Sequence, residues 1–159
     1  MSNMSKCSFT GHRVIKKDLL PHVIKRLDVT VSSLINQGVV TYLSGGAIGF
    51  DTYASLTVIK YRENNPLIKL IMVLPCLNQD ERWNEKDKQT YRYLLDNADK
   101  IIYVSERLYY QGCMLLRNEY LIEHSDVCVA YMLHGRSGTS QTVRLAREQG
   151  LKVINLAED

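Results

Sequence analysis

Ser44-Gly45-Gly46-Ala47-Ile48-Gly49-Phe50-Asp51 follows the apolar run Val39–Leu43 and opens a stretch with helical spacing. A strand, a tight glycine turn and a helix N-terminus, in that order, aim unpaired backbone N–H groups and the positive end of a helix dipole at the turn. A second segment repeats the arrangement. Val127–Met132 runs into Gly135-Arg136-Ser137-Gly138-Thr139-Ser140, and helical spacing follows again. Two such turns in one α/β domain predict a ligand with phosphate and sugar, held between them.

Outward from these turns the chain alternates between strand and helix. A strand at Cys7–Thr10 leads into Gly11-His12-Arg13. A helix is predicted from Asp18, its candidate N-cap, to Gln37, with Leu20, Ile24, Leu27, Val31 and Leu34 at intervals of three and four and Gly38 as the stop. Strand Val39–Ser44, helix Ala47–Asn64 and the almost wholly apolar strand Lys69–Pro75 follow. The spacing then predicts a polar helix over Trp83–Asn97, strand Lys100–Val104, helix Cys113–His124, strand Val127–Met132, helix Thr139–Gln149 and strand Leu151–Leu156. Strands separated by helices need crossover connections. The expected fold is α/β: a single Rossmann-like domain over residues 1–159, with a mostly parallel sheet and helices on both faces. Its ligand belongs beyond the carboxyl ends of the strands, where Thr10–Arg13, Ser44–Asp51 and Gly135–Ser140 would meet.

Composition narrows the function. The chain has 159 residues, 45% hydrophobic and 23% charged, with a net charge of +3. That charge permits an anionic ligand but does not require nucleic acid, whose basic binding domains usually carry a much denser Lys/Arg face. No apolar run reaches membrane-spanning length, so no membrane partner is expected. The N-terminal residues lack a signal-peptide core. Four scattered cysteines (Cys7, Cys76, Cys113 and Cys128) with no CxxC pair read as reduced thiols, and the expected location is cytoplasmic. No metal spacing is present, and no cofactor is expected beyond the ligand itself.

The two turns differ in sign. Asp51, in the first turn of its helix, would repel a phosphate. Either it accepts hydrogen bonds from a sugar, with Ser44, Gly45, Gly46 and Gly49 beside it, or it only complements the helix dipole. Gly135, Arg136, Ser137, Gly138, Thr139 and Ser140 carry no acid, one guanidinium and three hydroxyls, which suits phosphate. The alternative there is an ordinary Ser/Thr-capped helix. Gly11, His12 and Arg13 close a third side, and Arg117 and Asn118 lie on the helix before the fifth strand. Trp83, Tyr109 and Tyr110 are candidate stacking platforms for a base.

Thr10-Gly11-His12-Arg13, Gly45–Asp51, Trp83, Arg117-Asn118, Asp126 and Gly138-Thr139 together resemble the SLOG superfamily. This group includes DNA-processing protein A and the LOG phosphoribohydrolases, and the chain is most similar to its YpsA-like branch. The resemblance implies a nucleotide or nucleotide-derived ligand in the cleft, and often a homodimer. LOG enzymes carry a catalytic Glu three residues after the Gly-Thr pair. Here that position is Thr142, which cannot supply a carboxylate. The expectation is therefore regulatory binding or sensing, with no catalytic residue assigned. Two alternatives stand beside it: single-stranded DNA binding, suggested by a likeness of Arg136–Ala146 to the DNA-processing relatives, and N-glycosidic cleavage of a nucleoside monophosphate.

Overall fold

The computed structural model describes residues 5–158. Strands and helices alternate along the chain as β1 (Lys6–Gly11), α1 (Leu20–Asn36), β2 (Thr41–Ser44), α2 (Phe50–Arg62), β3 (Lys69–Leu74), α3 (Glu85–Asn97), β4 (Lys100–Tyr103), α4 (Cys113–Glu123), β5 (Val127–Tyr131), α5 (Gly138–Glu148) and β6 (Lys152–Asn155). The six strands form one sheet in the order β4-β3-β2-β1-β5-β6, and every pairing is parallel. This is the expected α/β architecture. The order reverses beside β1: the chain adds β2, β3 and β4 on one side, then returns to lay β5 on the other. Loops leaving the carboxyl ends of β1 and β5 diverge there and open a crevice.

Side-chain alternation divides the core into two layers. From β5, Val127, Val129 and Tyr131 join Phe9, Tyr42, Leu70, Met72 and Leu74 beneath α1, α2 and α3. Cys128 and Ala130 point the other way, packing against Ile122 of α4 and Val143 and Ala146 of α5. All four cysteines are buried free thiols, and among the described residues no helix is long and apolar enough to cross a membrane.

Local chemistry moves several element ends from where spacing alone puts them. Asp18 does not cap α1. The N–H groups of Leu19 and Leu20 both bond the Lys16 carbonyl in a preceding turn, Leu19 becomes the N-cap, and Pro21 falls in the first helical turn, where its missing N–H costs nothing. Gly49 adopts a φ of +83° and delays α2 from Ala47 to Phe50. Asn84 accepts from the Asp87 N–H at 2.8 Å, so α3 begins at Glu85 and leaves Trp83 outside.

Phe50 ties the crevice to the core. It is fully buried, stacked near Tyr131 (centroids 6.1 Å apart) and edge-on to Phe9 (6.4 Å). A Cβ at Gly11 would overlap its ring, so the end of β1 must be glycine for α2 to approach. Gly11→Ala is expected to destabilise by about 1–3 kcal/mol through overpacking. Thermal melting measures it, and an unchanged midpoint would contradict this packing.

Candidate functional site

A cavity of about 280 Å³ occupies the crevice. The end of β1 and its loop supply Thr10, Gly11, His12 and Arg13; α2 supplies Asp51, α4 supplies Arg117 and Asn118, and the start of α5 supplies Ser137, Gly138 and Thr139. Segments far apart in sequence thus meet at one point. Ser44, Gly45, Gly46, Gly49, Gly135, Arg136 and Ser140 lie outside the lining.

The first glycine turn is filled by protein. The Gly46 N–H donates to Ser44 Oγ (3.3 Å), the Ala47 N–H to Asp51 Oδ2 (3.2 Å) and the Phe50 N–H to the His12 carbonyl (3.1 Å). A Cβ at Gly45 would overlap the Arg117 guanidinium, and one at Gly49 the Arg13 carbonyl. The turn is therefore compact because two other parts of the site pack into it, and three of its amide donors, those of Gly46, Ala47 and Phe50, are already taken.

Arg117 is 5% exposed and holds the turn from below. Its Nη1 donates to the Gly45 carbonyl (2.6 Å) and to Gln79 Oε1 (3.4 Å), and its Nε to Asn118 Oδ1 (2.8 Å). Gln79 Nε2 reaches the same Gly45 carbonyl at 3.2 Å. Burial lowers the Arg117 pKa, opposed chiefly by the charge of Asp51. Asp51 is 6% exposed, and its Oδ1 has no hydrogen-bond partner. Burial pushes its pKa up to about 6, against the pull of the Arg117 guanidinium, the Ala47 N–H and Arg13. A buried carboxylate with one satisfied and one vacant oxygen, in the wall of a cavity, is a hydrogen-bond acceptor waiting for a donor.

The second turn uses some of its donors and leaves others free. Ser137 caps α5: its Oγ accepts from the Ser140 N–H (3.0 Å), while Ser140 Oγ accepts from the Ser137 N–H (2.8 Å). This reciprocal box uses both hydroxyls, so Ser140 serves the helix. It leaves the first-turn N–H groups of Gly138 and Thr139 without a protein acceptor among the described residues, facing the cavity at the positive end of the helix. Arg136 is exposed beside the cap. Thr142 turns inward, donating to the Gly138 carbonyl at 2.9 Å. His12 Nε2 accepts from the Leu133 N–H (2.9 Å), which fixes the neutral ring with its proton on Nδ1 and fastens the loop that leads to α5. Burial lowers its pKa accordingly.

Reasoning from sequence missed Met114 and Gln79. Met114 lines the cavity, and its Sδ lies 3.7 Å from Arg117 Nη2 and 4.0 Å from Arg13 Nη2. Its position three residues before Arg117, on the same helix face, was a readable signal. Gln79 sits in an irregular loop with no pattern to mark it. Asp126, one of the resembling residues, anchors β1 instead, its Oδ2 accepting from the Ser5 and Lys6 N–H groups at 3.1 Å each. Tyr110 is covered by the Arg107 guanidinium.

Two relatives and one solved structure set this geometry in context. The SPbeta prophage-derived protein YoqJ of Bacillus subtilis is 32% identical over 143 residues, covering 83% of this chain and 80% of its own. The UPF0398 protein BH1768 of Halalkalibacterium halodurans is 29% identical over 131 residues, covering 77% and 69%. Among solved structures, DNA processing protein A from Helicobacter pylori, described for its single-stranded DNA binding mode, superposes with a TM-score of 0.66 at 24% identity. That match covers 94% of this chain but only 64% of the Helicobacter chain, and at this identity it speaks for the fold alone. The YpsA family model, described as the YspA SLOG family, matches residues 11–149, which include every residue lining the cavity except Phe9 and Thr10. With that span and the likeness to YoqJ, the chain belongs to the YpsA SLOG family.

Proposed function

We propose that the crevice binds a small nucleotide-derived phosphate ligand and that the protein works as a binding or sensing module. One observation carries this reading: a single small cavity is lined by Asp51, whose buried carboxylate has one unpartnered oxygen, and by Gly138 and Thr139, whose helix N-terminal N–H groups have no protein acceptor among the described residues. The donors suit phosphate, and the Arg13 guanidinium, beside Met114, adds a positive charge to the same cavity. Asp51 Oδ1 suits a sugar hydroxyl, and Asn118 Nδ2, which has no partner among the described residues, offers a second polar contact. Arg136, exposed beside the cap, would add charge near the cavity. Thr142 gives the α5 side no carboxylate for glycosidic cleavage, which is why binding is favoured over turnover.

The test is a thermal-shift panel of nucleoside mono-, di- and cyclic phosphates on the protein and its Arg13→Ala and Arg136→Ala variants. A ligand at one hundred times its dissociation constant stabilises by about 2.7 kcal/mol, or roughly 5–10 °C for a chain of this size. The expected result is a shift that falls in both variants, more in Arg13→Ala. No shift with any phosphate ligand would overturn the reading.

Single-stranded DNA is the second reading. Exposed Arg144 and Arg147 line a hollow with Gly135 and Ser140 next to the same turn, and the Helicobacter neighbour is described as binding such a strand. Glu158 interrupts that hollow. Affinity for a short oligonucleotide that falls steeply with salt would favour this reading over the first.

A further inference from the structure

The 280 Å³ cavity falls just below the usual range of ligand sites, about 300 to 1,000 Å³. It has room for a phosphate and a sugar and little else. A second cavity, of about 580 Å³, adjoins it and shares two of its residues, Arg13 and Met114. The two cavities meet at these side chains, where Met114 Sδ lies 4.0 Å from Arg13 Nη2.

The walls of the second compartment are different in kind. Trp83, Leu108 and Tyr109 bring two rings and an apolar side chain to it, beside the polar Asn78, Gln79, Glu81 and Arg82. Trp83 is half-buried and held edge-on to Tyr91, with centroids 5.0 Å apart. Leu108 and Tyr109 are 66% and 58% exposed, large apolar surface that a loop would ordinarily cover. The two loops carrying these residues are tied together: the Leu77 N–H donates to the Arg107 carbonyl (2.9 Å) and the Tyr109 N–H to Asn78 Oδ1 (2.6 Å). The slot is therefore built before any ligand arrives. Gln79, from the same loop, reaches the Gly45 carbonyl and the Arg117 guanidinium, so the loop is fixed to the first compartment as well.

We propose that the compartment between Trp83 and Tyr109 takes the planar base of the ligand, so that the ligand class is a nucleoside phosphate and a bare sugar phosphate is only a fragment of it. This rests on the reading of the first cavity as the phosphate and sugar site. A flat heteroaromatic ring matches the compartment because stacking on aromatic side chains rewards any base face. It also matches the order of the walls: phosphate at α5, sugar at Asp51, then the passage at Arg13 and Met114, then the rings.

Trp83 is the single tryptophan of the chain, so its fluorescence reports this compartment directly. AMP and ribose 5-phosphate would each be titrated against the protein by calorimetry and by tryptophan emission, and again with Tyr109→Ala, an exposed loop position outside the core. AMP is expected to bind at least tenfold more tightly than ribose 5-phosphate and to change Trp83 emission, which the sugar phosphate leaves alone. Tyr109→Ala should bring AMP affinity down toward that of ribose 5-phosphate without altering the latter. Equal affinities for the two probes, unaffected by Tyr109→Ala, would overturn the base compartment and leave the phosphate site standing. Binding of neither probe at millimolar concentration would overturn both.

Discussion

Asp51→Asn is expected to make the protein more stable at pH 7 and to abolish the ligand-induced thermal shift. Stability and function pull in opposite directions at this residue. The Asp51 carboxylate is buried, one of its oxygens has no partner, and its pKa rises from 3.8 to about 6 because burial outweighs the attraction of Arg117. At about 1.36 kcal/mol per pKa unit, keeping it ionised at pH 7 costs about 3 kcal/mol. An asparagine keeps an oxygen for the Ala47 N–H and carries no charge, so the melting point should rise by roughly 5–10 °C. Removing a partner charge usually harms a buried cation, but Arg117 retains the Gly45 carbonyl, Gln79 and Asn118. The pH dependence separates charge from packing. The folded protein binds this proton more tightly than the unfolded chain does, so wild-type stability gains as pH falls from about 6 to 3.8 while the variant does not. The advantage of Asp51→Asn should be full at pH 7 and gone below about pH 4. Melting curves across that range, with and without nucleotide, measure both effects; a variant less stable than wild type at pH 7, or one that still responds fully to ligand, would refute the assignment.

The same residue shows how far the sequence could be read. The strand-turn-helix order, the apolar periodicity of α1 and the β-branched run of β5 were visible because burial imposes a period, and they sufficed for a parallel sheet with its site at the carboxyl ends. The meeting of β1, α2, α4 and α5 at one crevice followed from that topology. The roles of the glycines did not. Gly45 and Gly49 look like room for a ligand, yet the space is taken by Arg117 and the Arg13 carbonyl, a tertiary fact with no local signature. Likewise Ser137 and Ser140 look like two phosphate donors and instead satisfy each other in a capping box. Asp18 has the right chemistry for a cap and is displaced by the Lys16 turn. Hydroxyls, amides and glycines are read correctly only when their partners are known, and those partners lie far along the chain, as Arg117 does at 72 residues from Gly45.

Arg117→Met is expected to have the largest destabilising effect of any substitution in the cleft. The methionine fills part of the volume but offers no donor. Gly45 keeps only the Gln79 amide at 3.2 Å, Gln79 Oε1 and Asn118 Oδ1 lose their donor, and Asp51 loses the strongest charge opposing its burial. Breaking a buried charge arrangement from one side costs about 3–5 kcal/mol, a fall in melting point of roughly 10 °C or more. The direction of the Asp51 pKa follows: without Arg117 it moves further above about 6, so the carboxylate that accepts the ligand is increasingly protonated at neutral pH. Any ligand-induced shift that survives in Arg117→Met should therefore strengthen as pH rises from 7 to 8.5, where wild type is flat. The double variant Asp51→Asn/Arg117→Met removes the stranded carboxylate together with its counter-charge. It should be more stable than Arg117→Met alone by more than 1 kcal/mol, a comparison that isolates the electrostatic coupling from the loss of hydrogen bonds to the glycine turn. If Arg117→Met melts within a degree or two of wild type, the guanidinium is not what holds the turn against the sheet, and the cleft must draw its rigidity from Phe50 and the strand ends alone.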